Sequence, residues 1–177
     1  MSVEGLIETW KDTRSGLIDE VQQIPAEQFT FKASAETRSV AQLLQHVIES
    51  QKMLIGETCQ PDTNLMRRPF PEQIKHYAPG VSDVTDKDGL IELLSASIEE
   101  GAQKLAATGD QLNNMMTRFD GRQVPKIDFL NFAVSHEMYH RGQLTVYLRL
   151  LDIEPALTTR LKKLFGEPGE AASAAKS

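Results

Sequence analysis

Two histidines one helical turn apart carry the strongest chemical signal in this chain. They are His136 and His140, in the segment IDFLNFAVSHEMYHRGQLTVYLRLL. Successive residues on a helix are about 100° apart, so residues four apart lie only about 40° from each other. Both imidazoles then leave the helix on one side, within reach of a single ion, and this spacing recurs at zinc sites for that reason. Phe129, Phe132, Ala133, Tyr147, Leu150 and Leu151 trace an apolar stripe on the same helix, with the two histidines at its centre. Imidazoles buried there need partners. A tyrosine or a backbone carbonyl satisfies a single inward histidine, whereas a stacked pair points to a metal.

A metal wants a third ligand, and the chain holds four histidines. His46 lies in SVAQLLQHVIES, beside an apolar stripe and on the side of Leu43 and Ser50, placed to lean into a helix interface. His76 lies in a proline-rich stretch without periodicity and reads as a surface residue. His46, His136 and His140 then make three ligands from two helices, with positions left for water or substrate. That is the ligand count of a catalytic site rather than a closed structural one.

HEMYH also fits H-E-x-x-H, in which Glu137 would serve a metalloprotease as general base. The companions of that motif are missing. Val146 stands where the extended spacing needs a third histidine, and Glu154 and Glu167 lie beyond the helix end. Glu137 itself falls at the edge of the stripe, where a carboxylate is solvated or pairs with Arg141 four residues on; the other reading is a catalytic or ligand-supporting role. Gln143 projects on the face of His136 and His140 and is placed to hydrogen-bond a ligand histidine or a bound water; the plainer reading is a helix–helix hydrogen bond. Tyr139 lies near that face and either presents its hydroxyl to the pocket or packs. Gly142 would let another backbone approach. The lone Cys59 excludes an internal disulfide and reads as a free structural thiol.

The elements that must position these residues are helices. The first runs from about Val3 to Gln23, with Leu6, Ile7, Trp10, Leu17, Ile18 and Val21 at helical spacing despite Gly16. The second starts at Ser39, whose spacing to Gln42 is that of a capping box, and runs to about Thr58. A long irregular linker follows, from about Pro61 to Thr85. A connection of that length in a compact domain is functional or a crossover. The third helix spans about Lys87 to Thr108 and the fourth about Ile127 to Leu151, with a loop or short hairpin around Asp120-Gly121 between them. A short fifth piece, about Pro155 to Phe165, packs across the bundle end. The expected architecture is all-α: one four-helix-bundle domain over 1–165 and a flexible tail over 166–177.

Composition agrees with one ordinary globular domain: 177 residues, 40% hydrophobic and 25% charged. A net charge of −6 provides no basic field for nucleic acid. No stretch approaches the roughly 20 apolar residues of a membrane span, and the first residues lack the pattern of a signal peptide. The expected compartment is the cytoplasm.

Two segments resemble the DinB-like (DinB/YfiT-like) superfamily. SVAQLLQHVIESQKML is similar to its second-helix stretch, and SHEMYHRGQL to its H-x3-H-R-G-Q signature, some 90 residues later. The resemblance implies a bundle with a long crossover, zinc or nickel held by His46, His136 and His140 at one end of it, and a homodimer. Some members of the superfamily are transferases or isomerases that use low-molecular-weight thiols. The leading expectation is therefore a metal-dependent, thiol-dependent S-transferase or isomerase acting on a small molecule, with Glu137, Gln143 and Tyr139 as catalytic candidates. A metal-dependent hydrolase, or a non-catalytic ligand-binding or dimerisation module, is the alternative.

Overall fold

The computed structural model describes residues 2–166. Six helices follow in chain order: α1 (Val3–Gln23), α2 (Val40–Thr58), α3 (Phe70–Tyr77), α4 (Lys87–Thr108), α5 (Lys126–Leu150) and α6 (Ala156–Phe165). One small antiparallel hairpin, β1 (Met115–Thr117) with β2 (Gln123–Pro125), precedes α5. The long helices α1, α2, α4 and α5 form a four-helix bundle. α1 packs against α4 and α5, and α2 packs against the same two, so α1 and α2 face each other across a diagonal.

Local chemistry sets most of the boundaries. The Ser2 hydroxyl accepts from Gly5 N–H to open α1, and the chain leaves that helix before Pro25. Ser39 and Gln42 form the anticipated reciprocal capping box at the start of α2. Asp86 caps α4 through Gly89 N–H. Pro125 precedes α5 and Pro155 precedes α6, each at a position where a missing N–H costs the helix nothing. Gly121 supplies the positive φ (79°) that the hairpin turn requires.

The connection from Pro61 to Thr85 is more ordered than its prolines suggest. It contains α3 and a short turn of 3-10 helix, Val81–Asp83. α3 docks on α2: the Tyr77 ring lies over Gly56, and its hydroxyl donates to Glu57 at 2.5 Å. Gln73 donates from Nε2 to the carbonyls of Leu65 and Arg68, both at 2.8 Å. Gly16 also has its reason, because the Arg141 guanidinium crosses α1 at that point.

Three apolar clusters make the core; the third joins Met53, Leu54 and Phe129 to Leu65 and Met116 of the loop and hairpin, and the other two lie along the bundle. One gathers Leu17, Val21, Leu44, Val47, Leu94 and Leu148; the other gathers Leu6, Trp10, Ile55, Ile98, Leu105 and Leu130. Between them lies a polar layer. Arg14 of α1, 1% exposed, donates from Nε and Nη2 to Glu137 of α5, 0% exposed. Its Nη1 donates to Leu94 O at 2.6 Å and Ser97 Oγ at 2.7 Å on α4. Trp10 Nε1 and Gln51 Nε2, the latter from α2, donate to Glu137 Oε2. The Arg14–Glu137 pair thus ties all four long helices together.

This layer corrects the reading of α5. Glu137 does not sit at the stripe's edge or pair with Arg141. It occupies the buried centre, on a line through Phe129, Ala133, Glu137, Leu144 and Leu148. Phe132 and Leu150, assigned to the stripe, are exposed, whereas His140 is buried on the inward face and His136 is half-buried beside it. A carboxylate is expensive to bury alone, so pattern reading moves it outward. Arg14, from a distant part of the chain, reverses that preference. Arg141 instead approaches buried Glu20, at 3.9 Å.

α6 packs on α1. Glu20 accepts from the first free amides of α6, Ala156 N at 2.7 Å and Leu157 N at 3.1 Å. The flexible tail expected over 166–177 falls, from 167 onward, outside the described residues. Among the described residues no helix is long and apolar enough to cross a membrane.

Candidate metal centre

α2 and α5 pack side by side, and along their seam three imidazoles converge. His46 comes from α2, and His136 and His140 from α5. One ligand atom of each lies within 4.8 Å of the others, and neither carboxylate nor thiol belongs to the group among the described residues. The ring centroids are 5.2 Å apart for His46 and His136, 4.7 Å for His46 and His140, and 4.4 Å for His136 and His140. The cluster sits midway along α5, within about a turn of the polar layer, and not at a helix end.

The tautomers bear on what this cluster can hold. Gln143 Oε1 lies 2.7 Å from His140 Nδ1. An amide oxygen only accepts, so Nδ1 carries the proton and Nε2 keeps a lone pair. That Nε2 faces His136 Nε2 at 3.1 Å. If His136 is protonated on Nε2, its Nδ1 becomes a buried acceptor without a hydrogen-bond partner. If it is protonated on Nδ1, two lone pairs confront each other, an arrangement that a cation between them relieves. The separation is close to that of two ligands on one tetrahedral ion with bonds of about 2.0–2.1 Å. Ser50 Oγ lies 3.4 Å from His46 Nδ1, on the next turn of α2. The donor set therefore fits a divalent ion.

Electrostatics point the same way. Burial, then the Arg38 charge, then the neighbouring histidines push His46 down to about 4. Burial, His140 and Arg38 push His136 down to about 4. Burial also lowers His140, partly opposed by its bond to Gln143. At neutral pH all three rings are uncharged, the form that ligates, and no proton competes with a metal.

The remaining candidates separate clearly. Gln143 is half-buried and bonded to His140, as anticipated. Tyr139 is 64% exposed, with its ring centroid 5.2 Å from that of His140, at the rim. Glu137 is next to His136 in the chain, but its oxygens are taken by Arg14, Trp10 and Gln51. Nothing packs over Gly142, so no second backbone approaches there. His76 is exposed on α3, against Tyr77 and outside the cluster. Cys59 is half-buried, and burial raises its thiol, as suits an inert side chain.

Sequence reading passed over three residues near the site. Arg14 and Gln51 hold Glu137, and Arg38 lines a cavity that reaches His46. No local pattern marks any of them, because the partners of Arg14 and Gln51 are 80 to 123 residues away and Arg38 is placed only as a cavity wall.

A four-helix bundle with three imidazoles gathered on two adjacent helices defines a helical-bundle protein with a candidate cation site. The chain belongs to the DinB family, whose model matches residues 1–171. Among solved structures it is similar to YfiT from Bacillus subtilis, described as a probable metal-dependent hydrolase with an unusual four-helix bundle topology (16% identity, 86% of this chain and 89% of that one, TM-score 0.67). It is similar to the DinB-like protein YjoA from Bacillus subtilis (19% identity, 84% and 92%, TM-score 0.64). It also resembles a mycothiol-dependent maleylpyruvate isomerase (16% identity, TM-score 0.64), matching over 81% of its own length but only 61% of that chain. At these identities the likeness is one of fold. No curated protein matches the chain.

Proposed function

We propose that this protein is a metal-dependent enzyme acting on a small molecule, of the thiol-dependent S-transferase or isomerase kind. His46, His136 and His140 would hold one divalent ion, zinc or nickel. The observation that carries the reading is the convergence of three neutral imidazoles from two helices, with ligand atoms within 4.8 Å of one another. A divalent ion bound there supplies Lewis acidity, lowering the pKa of a thiol or a water in its remaining positions.

The protein's own groups have separable tasks. Gln143 fixes the His140 tautomer and aims its lone pair. Tyr139, at the rim, is placed to exchange a proton with a bound molecule. Glu137 acts through position: gripped by Arg14, it anchors the turn of α5 that carries His136. That occupancy weakens the peptidase-like reading, in which Glu137 would need a free oxygen. Likeness to the mycothiol-dependent isomerase favours thiol chemistry, and likeness to YfiT favours hydrolysis as the second reading.

The outward face of α5 leaves Phe132, Tyr139, Val146 and Leu150 exposed, with Gly142 open, which supports a homodimer through this helix. The acidic net charge argues against a nucleic-acid partner, and a cytoplasmic location is part of the same proposal.

The test is elemental analysis of the purified protein beside His136→Ala, followed by turnover assays with and without added thiol. Stoichiometric metal lost in the variant supports the site; equal metal content in both refutes it. Turnover without thiol transfers the assignment to the hydrolase. A metal with four protein ligands and no turnover transfers it to a non-catalytic module.

A further inference from the structure

An open cavity of about 550 Å³ begins at His46 and is walled by Arg38, Lys32, Glu36, Glu49 and Phe70, among others. Arg38 stands just before the capping residue of α2. Its backbone carbonyl is fixed, accepting from the Tyr147 hydroxyl at 2.8 Å. Its guanidinium has no hydrogen bond or ion pair among the described residues, which leaves an anchored main chain carrying an uncommitted planar fork. Of the charges in the cavity wall, Lys32 and Arg38 are balanced by Glu36 and Glu49.

Charge balance then bears on the substrate. Imidazoles are neutral ligands, and Glu137, adjacent to His136 in the chain, is already paired with Arg14. A divalent ion on this ligand set keeps its full charge, and Arg38 lines the same cavity as the ligand His46. A dication held partly by His46, at the edge of a cavity that also carries the Arg38 guanidinium, would draw anions. Arg38 offers a single fork, which satisfies both oxygens of a carboxylate but leaves the further oxygens of a phosphate unmatched.

We infer that Arg38 is a substrate-recognition residue and that the substrate of this site is a small carboxylate-bearing molecule whose carboxylate Arg38 binds. This rests on the metal reading above and names its substrate class. A guanidinium fork pairs with a carboxylate through two parallel N–H···O bonds, which a lysine cannot reproduce. Glu49 is the internal competitor for the fork, and Arg38 already acts on its charge.

The test is calorimetric titration of the zinc-loaded, full-length protein with succinate, with uncharged succinamide as control, in wild type, Arg38→Ala and Arg38→Lys. Wild type should bind succinate and not succinamide. Arg38→Ala should weaken succinate at least about tenfold, with Arg38→Lys between, at unchanged zinc per chain. Equal succinate affinity in Arg38→Ala, or equal affinity of wild type for succinamide, overturns the assignment and leaves the metal site standing. Inorganic phosphate bound more tightly than succinate overturns the carboxylate class. A wild type that retains no zinc refutes the metal reading instead, and the same titration on metal-free protein then decides Arg38. Loss of succinate binding in Arg38→Ala upholds its role there; no effect of the substitution, or no binding at all, overturns it.

Discussion

Arg14 and Glu137 stand 123 residues apart in the chain and form a salt bridge at the centre of the bundle, with side-chain exposures of 1% and 0%. The pair joins α1 to the helix that carries two of the three clustered histidines. Removing one partner leaves the other as an uncompensated buried charge. Arg14→Ala should therefore lower stability by about 3–5 kcal/mol in chemical denaturation. The double variant Arg14→Met, Glu137→Leu should recover much of that loss, since both charges go together. Losses that simply add in the double variant would show that the two residues are uncoupled.

Gln143 bonds His140 Nδ1 and so fixes which nitrogen faces the cluster. Removing such a support beside a metal ligand costs about 10–100-fold in affinity. Gln143→Ala should show this range against a chromogenic chelator, with the stability of the metal-free protein nearly unchanged. Undiminished metal affinity would mean that the hydrogen bond orients nothing of consequence.

The metal-free protein should lose stability on mild acidification. His46 and His136 titrate near 4 when folded and near 6.5 when unfolded. Between these values the unfolded chain binds protons that the native state does not, so stability rises with pH across the window and falls as pH drops through it. Denaturation of apo protein at pH 7 and pH 5 measures the difference. It should shrink in the variant His46→Gln, His136→Gln. An equal difference in both proteins would assign the effect to other groups.

Glu20 caps α6 from α1, through Ala156 N and Leu157 N. Glu20→Ala leaves those amides unpaired and should cost about 1–2 kcal/mol, as loss of a helix cap does. Limited proteolysis should then cut first within α6. A cleavage pattern identical to that of wild type would show that α6 is held by its apolar contacts alone.

Helix positions were readable because their signals are local. The Ser39–Gln42 capping box, the prolines before α5 and α6, and the 3.6-residue periodicity of α1, α2 and α4 each act within a few residues, and the observed ends fall within one residue of the expected ones. α3 was hidden because its stability comes from docking Tyr77 and Gln73 onto α2 and the preceding loop, contacts that no local pattern records. On α5 periodicity misled by one position, since it assigned Glu137 outward.

The sequence by itself determined the helices, their caps and the one-turn spacing of His136 and His140, because these follow from backbone geometry and near neighbours. Only the tertiary structure decided that His46 meets them, that Glu137 is buried against Arg14, and that Arg38 stands open beside the cluster. Each of those depends on which helices become neighbours, and in the interior a charge is stable only where a distant partner arrives to meet it.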